Sequence, residues 1–181
     1  YGVGEFDLAG VFNGSSSWIA NSPNIGFGQS ISMWFDVKSG ISVGSQGLWS
    51  QSVNGGLVWA GTNLYWDGSN FYFSMFIRRN STYRYQSSGI ITINSGWNHI
   101  VFTFDNNAGY SAWLNNSELT MTDSNVSGTV PSFPSGTTTI GRIWGNNDDF
   151  YFNGSIDQVR FFNKALSAGE VTTLYNETPC N

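Results

Sequence analysis

Side chains able to do acid–base or nucleophilic chemistry are few in this chain: twelve carboxylates and a single histidine among 181 residues. Two carboxylates that cleave a sugar linkage by the retaining route stand about 5–5.5 Å apart. On a strand that separation requires alternate residues, because neighbours point to opposite faces. Glu5-Phe6-Asp7 has the alternation but lies at the terminus, without a third acid. Asp148 and Asp149 are adjacent, so an extended strand would turn them apart. Glu170 stands three residues after Ser167, the spacing of a helix cap, and Glu177 sits in the tail. His99 has no serine or cysteine beside it in a nucleophile motif, and is expected to be packed and hydrogen-bonded rather than a general base. No catalytic residue is expected, and the chain reads as a non-enzyme.

Binding chemistry is better supplied. Trp49, Trp59, Tyr65, Trp66, Tyr72, Tyr83 and Tyr85 crowd the middle of the chain, and Trp144 stands in a late loop. Exposed Trp and Tyr make flat apolar platforms for the CH faces of a sugar ring, while Asn, Gln and Arg bond its hydroxyls. The stretch from Leu64 to Phe73 (LYWDGSNFYF) offers both kinds of residue. For any single ring the alternative is packing near a strand end with its polar tip wet. Taken together the rings are expected to form a glycan or partner surface, as exposed apolar patches mark interaction sites. Arg78, Arg79 and Arg84 form the one local concentration of positive charge; they could pair with acidic sugars, or simply solvate a strand edge.

The elements that must carry these residues are short strands. Apolar runs recur at Leu8–Phe12, Ile31–Val37, Gly47–Ser50, Leu57–Ala60 and Phe71–Ile77. Others follow at Tyr83–Gln86, Trp97–Phe104, Tyr110–Leu114, Thr138–Ile143 and Ser155–Phe162. Turn residues separate them, including Asn13-Gly14, Asn54-Gly55 and Asp67-Gly68. Many short strands predict an all-β fold, an antiparallel β-sandwich jelly roll. One short C-terminal helix should follow Ser167, of two turns at most because of Gly169. Val171, Leu174 and Tyr175 should form its apolar face.

Composition bounds the rest. Residues 1–181 have the size of one domain, and 40% hydrophobic and 17% aromatic content suffices for a packed core. Charged residues make up only 10%, so Asn, Ser, Thr and Gly must supply the polar surface, as suits an extracellular or particle-surface setting. A net charge of −5 argues against a nucleic-acid partner, and no apolar run approaches about 18 residues, so membrane insertion is not expected. The chain starts at Tyr1, as a mature or excised fragment of something longer would. Cys180, the only cysteine, has no partner within the chain.

Four blocks then carry a resemblance. Val11 to Ile19 (VFNGSSSWI) is similar to an opening F-D-G-x-x-x-Y strand and turn, and Ser30 to Phe35 (SISMWF) to the strand that follows. Gly96 to Asp105 (GWNHIVFTFD) with Ala112 to Asn116 (AWLNN) resembles a "gWhHVafTyD … lYvNG" hairpin. Ile140-Gly141, then Phe152 to Glu170, resembles "iG … f.G.IDeVRiYnraLsaeEi". In this order they resemble the laminin G-like and pentraxin-like branch of the concanavalin A-like lectin/glucanase superfamily. Asn13 and Asn116 depart from the pattern, standing where the family has Asp and Gly.

The resemblance implies a concanavalin A-like jelly roll over the whole chain, with Trp18, Trp34, Trp97 and Trp113 in its core. It also implies a structural calcium ion with Asp157 as its carboxylate ligand and Asn13 as a further candidate; an ion pair with Arg160 or Arg142, or bonds to loop amides, is the alternative for Asp157. Asp148 and Asp149 fall where pentraxin-like relatives place ligand-facing acids, although a solvated turn, where Asn and Asp are favoured anyway, is the preferred account of them. The implied function is a non-catalytic recognition module for a glycan or a cell-surface or particle-surface polymer. The alternative is a structural, assembly or adhesion domain acting through protein–protein contacts, with a parent polypeptide among its partners.

Overall fold

The computed structural model describes residues 1–21, 29–53, 58–79, 82–105, 109–127, 136–143 and 150–178. The first eight strands are β1 (Gly2–Val3), β2 (Leu8–Asn13), β3 (Ile19–Asn21), β4 (Gln29–Val37), β5 (Gly44–Val53), β6 (Val58–Trp66), β7 (Phe71–Arg79) and β8 (Thr82–Ser88). They continue as β9 (Asn98–Asp105), β10 (Gly109–Leu114), β11 (Ser117–Leu119), β12 (Met121–Ser127), β13 (Thr137–Ile140), β14 (Arg142–Ile143), β15 (Phe150–Tyr151) and β16 (Asn153–Phe162). A single described helix, α1 (Ala168–Tyr175), comes last. No helix among the described residues is long and apolar enough to cross a membrane.

Two seven-stranded antiparallel sheets result. Sheet I runs β1-β2-β16-β4-β9-β10-β11, sheet II runs β12-β8-β7-β6-β5-β13-β3, and β14 pairs with β15 alone. Beginning and end of the chain meet in sheet I, where β16 lies between β2 and β4. Every apolar run read from the sequence overlaps a strand. The polar β12 (MTDSNVS) was not among them, because an edge strand need not carry the apolar face that marks a buried one.

Alternation along the strands closes the sheets over one core. Phe35, Phe102 and Phe104 of sheet I are wholly buried with Trp49, Phe73 and Met75 of sheet II. Ring edges meet ring faces across the layer: Phe35 and Phe73 lie 5.8 Å apart at 89°, Phe73 and Phe102 5.8 Å apart at 81°. At the β10–β11 hairpin, Asn115 (φ +48°) and Asn116 (φ +66°) form the two-residue turn, a left-handed conformation that Asn tolerates. Glycine in place of Asn116 is therefore not needed.

The chain after β13 folds back over sheet II. Gly141 (φ +78°) turns it, and a β-carbon there would come within 2.2 Å of the Phe12 ring. The β14–β15 pair then crosses β5 at Gly47, where a β-carbon would sit 2.3 Å from the Phe150 carbonyl.

Helix α1 covers the outer face of sheet I. Glu170 accepts the backbone N–H and the hydroxyl of Ser167, each at 2.9 Å, which ties off the first turn. Val171 and Leu174 bury against Val101 and Trp113. Tyr175 stacks on Trp34 at 5.8 Å and 14°, and His99 lies beside both, 4.9 Å from Trp34 and 6.0 Å from Tyr175. His99 is 1% exposed, with Nε2 2.8 Å from the Ser32 hydroxyl.

Burial, reinforced by the positive charge of Arg160, pushes the His99 imidazole down to about 4. Since it ionises near 6.5 when unfolded, the unfolded chain binds the extra proton between those values. Stability should therefore be full above about pH 6.5 and fall as pH drops towards 4, by about 3 kcal/mol from this group. Urea unfolding of the wild type and His99→Gln across pH 4–7 checks this: the variant should lose most of that slope, while slopes from carboxylates remain in both.

Candidate functional site

On β6 and β7 the pleat separates two sets of residues. Ala60, Thr62 and Leu64 face inward opposite Ile77, Met75 and Phe73, and all six are wholly buried. The outward set pairs Gly61 with Phe76, Asn63 with Ser74, and Tyr65 with Tyr72. The two tyrosine rings are 6.2 Å apart and inclined at 47°, with Tyr65 37% exposed.

Local chemistry fixes this pair. Asp67 accepts the backbone N–H groups of Ser69 and Asn70, each at 2.7 Å, forming the turn that Gly68 (φ +101°) completes. Its second oxygen accepts the Tyr72 hydroxyl at 2.9 Å, which holds the ring in place. Bonds from Asn70 and Ser69 hold the Asp67 carboxyl below its usual range, and the hydrogen bond to Asp67 raises the Tyr72 phenol.

Polar groups continue the outer face. Asn63 Nδ2 donates to the Ser45 hydroxyl at 3.0 Å, and the hydroxyls of Ser74 and Tyr85 are bonded to each other. Farther along, the Phe76 ring lies across Gly61, where a β-carbon would come within 2.7 Å of it. The face is thus a strip open to solvent only at its tyrosine end: Asn63, Ser74 and Phe76, farther along, are 6%, 1% and 9% exposed.

Of the ligand-binding residues expected from sequence, Tyr65, Tyr72 and Tyr85 are brought together here. Backbone register pairs Trp59 with Arg78, and Arg78 with Tyr83, two residues beyond the Gly61–Phe76 pair; the side chains of all three lie outside the described residues. So do Trp144, Asp148, Asp149 and Cys180 altogether.

Other expectations need correction. Trp49 is 0% exposed and packs on Phe104 at 5.6 Å, because a bulge between Gly47 and Trp49 turns both Leu48 and Trp49 inward. Trp66 falls in the inward set and packs on Phe71 at 4.5 Å, half-buried at its edge. Arg84 is held by both oxygens of Asp123, each bond 2.9 Å, over the Tyr110 ring. Conversely Trp18, expected in the core, is 38% exposed, with the Arg142 guanidinium 4.9 Å from its ring. It precedes an edge strand, so no alternation in the sequence pointed to it.

The proposed calcium ligands do not come together. Asn13 pairs with Asn153, four residues before Asp157 on β16, which separates them by about 13 Å. Two ligands of one calcium ion lie within about 5 Å of each other. Asn13 Oδ1 already accepts three amides, those of Ser15, Ser16 and Ser17 at 2.9–3.0 Å. Asp157 accepts Phe6 N–H at 3.0 Å and Gln158 N–H at 2.7 Å, one on each oxygen. Gly4 sits so close that a β-carbon would be 2.5 Å from Oδ2. Gln158 is at φ +49° in the bulge that aims this carboxylate at the N-terminal turn. Each carboxylate oxygen thus accepts one backbone amide. The carboxylate is a clamp on the backbone amides of Phe6 and Gln158.

Residues 13–172 match the Laminin G 3 family of the concanavalin A-like lectin/glucanases superfamily, and the chain belongs to that family. Among solved structures it is similar to domain 4 of AbnA, an extracellular GH43 arabinanase of Geobacillus stearothermophilus, in complex with arabinotriose. Identity is 22% and the TM-score 0.67, over 97% of this chain and 80% of that one. A heptameric SAP-like pentraxin from Limulus polyphemus gives 15% and 0.65, over 92% and 80% of the two chains. The CBM40 domain of Ruminococcus gnavus IT-sialidase, bound to α2,3 sialyllactose, gives 14% and 0.63, over 93% and 98%. No curated protein sequence matches significantly.

Asp157→Ala should leave the Phe6 and Gln158 amides without their acceptor and cost about 2 kcal/mol of stability. The loss should be the same in millimolar calcium and in EDTA. A calcium-dependent rise in the wild-type Tm that the substitution removes would identify Asp157 as an ion ligand instead.

Proposed function

We propose that this domain is a non-catalytic carbohydrate-binding module whose sugar site is the outer strip of sheet II. The observation that carries it is the Tyr65–Tyr72 pair, Tyr65 exposed and Tyr72 half-buried, held at a fixed tilt with Ser45 and Tyr85 at the surface nearby and Asn63 and Ser74 buried beneath. The rings offer apolar surface to sugar C–H groups, and the partly exposed Tyr72, Tyr85 and Ser45 hydroxyls can bond those of a sugar. Fold relatives that hold arabinotriose and sialyllactose support the assignment.

Non-catalytic action is favoured by where the acids lie. Asp67, beside the strip, is bonded to Ser69, Asn70 and Tyr72. Glu118 lies in β11 of sheet I, Glu170 in the helix upon it, and Glu177 pairs with Arg160 of the same sheet. Glu5 precedes Phe6, which Asp157 of sheet I holds. None of the four glutamates is on sheet II. A glycan ligand places the domain outside the cell or on a surface, as the amide-rich exterior suits.

A second role, attachment to another protein, is favoured by a separate feature. Tyr1, Val3, Leu8 and Val11 of the β1–β2 hairpin are 54–100% exposed. Sedimentation analysis would show association through this edge, and glycan binding need not change with it.

Tyr65→Ala and Tyr72→Ala should each lower affinity for a bound oligosaccharide by about tenfold, the loss usual for an aromatic anchor, with the Tm nearly unchanged. Isothermal titration with the best hit of a glycan array measures this. Binding that survives both substitutions would place the sugar elsewhere.

A further inference from the structure

The strip carries an asymmetry of charge that bears on which sugars it accepts. Asp67 Oδ2 is 2.9 Å from the Tyr72 hydroxyl, so a carboxylate stands at the edge of the ring pair. Its partners are N–H and O–H groups from Ser69, Asn70 and Tyr72, which polarise the anion without neutralising it. Among the described residues no Arg or Lys pairs with it: Arg84 is bonded to Asp123, Arg160 to Glu177 and Lys164 to Glu170. Arg142 is packed against the rings of Trp18 and Tyr151, at 4.9 and 5.3 Å. Arg78 is six residues along β7 from Tyr72, about 20 Å of strand and more than twice the Debye length of about 8 Å in physiological salt.

Resting on the sugar site assigned above, we propose that the Tyr65–Tyr72 end accepts uncharged sugar rings and disfavours uronates and sialates, with Asp67 as the specificity-determining residue. A ligand carboxylate stacked there would lie close to that of Asp67, in water and without an intervening cation, and like charges so placed repel. A neutral ring meets no such opposition. The Tyr72 hydroxyl gives its proton to Asp67, so its oxygen is left as an acceptor; sugar hydroxyls can donate to it and an ionised carboxylate cannot. Charge and hydrogen-bond polarity therefore select in the same direction.

The test is an array of neutral oligosaccharides, each printed beside its C6-carboxylated form, probed with wild type and Asp67→Asn at low and high salt. Wild type should prefer the neutral member of a bound pair by about threefold to tenfold at low salt. Asp67→Asn should bring that ratio close to one by raising uronate binding relative to neutral binding, and high salt should shrink the wild-type ratio. Equal or stronger binding of the uronate by wild type, or a ratio that Asp67→Asn leaves unchanged, overturns the assignment of Asp67 while the sugar site stands. Failure of wild type to bind any pair removes the sugar site itself, and this preference with it.

Discussion

Everything in this molecule depends on the pleat keeping its count while two sheets close over one aromatic layer. Phe35, Trp49, Phe73, Phe102, Phe104 and Phe152 are each less than 2% exposed. Burying rings of that size is the main favourable term available to a chain without an internal disulfide. Because residues alternate, each inward ring leaves its strand neighbours facing out. The Tyr65–Tyr72 pair is the outward complement of the core: Leu64 and Phe73 go in, and so Tyr65 and Tyr72 come out.

Where the alternation breaks, the structure uses the break. The bulge in β5 draws Leu48 and Trp49 inward together, against the smooth floor that Gly47 offers to the β14–β15 pair. The bulge in β16, with Gln158 in a left-handed conformation, turns the Asp157 carboxylate onto the amides of Phe6 and its own neighbour. That bond fastens the start of the chain to its last strand, which in turn lies between β2 and β4. A carboxylate at the head of a buried strand thus closes the molecule by anchoring backbone.

Sparse charge has its own consequence. With only 10% charged residues, several of those described are tied in pairs, as Arg84 is to Asp123 and Arg160 to Glu177. Exposed pairs of this kind add little stability, but they leave amides, hydroxyls and rings to dominate the exterior. On such a surface a single local charge such as Asp67 stands out against a weak background field.

Periodicity and turn chemistry in the sequence were enough for the sandwich, for its longer strands other than β12 and for the two-turn helix, because those follow from local alternation and capping residues that act over a few positions. The two- and three-residue strands β1, β3, β11 and β15 are too short to show alternation. Tyr65, Tyr72 and Tyr85 were also visible as a group, since they crowd strands rich in amides and hydroxyls. Whether a given ring faced in or out was not visible. Trp49 and Trp66 read as surface candidates and are turned inward, whereas Trp18 read as core and is exposed. One extra residue in a bulge reverses the facing of all that follows, and its place is set by the partner strand. Likewise, the roles of Asp157 and Asp67 depend on amides and hydroxyls brought to them by folding: Phe6 is 151 positions from Asp157 in the chain. Short-range order was written in residue types; the assignment of each side chain to interior, strip or clamp required the register between strands, which only the closed fold provides.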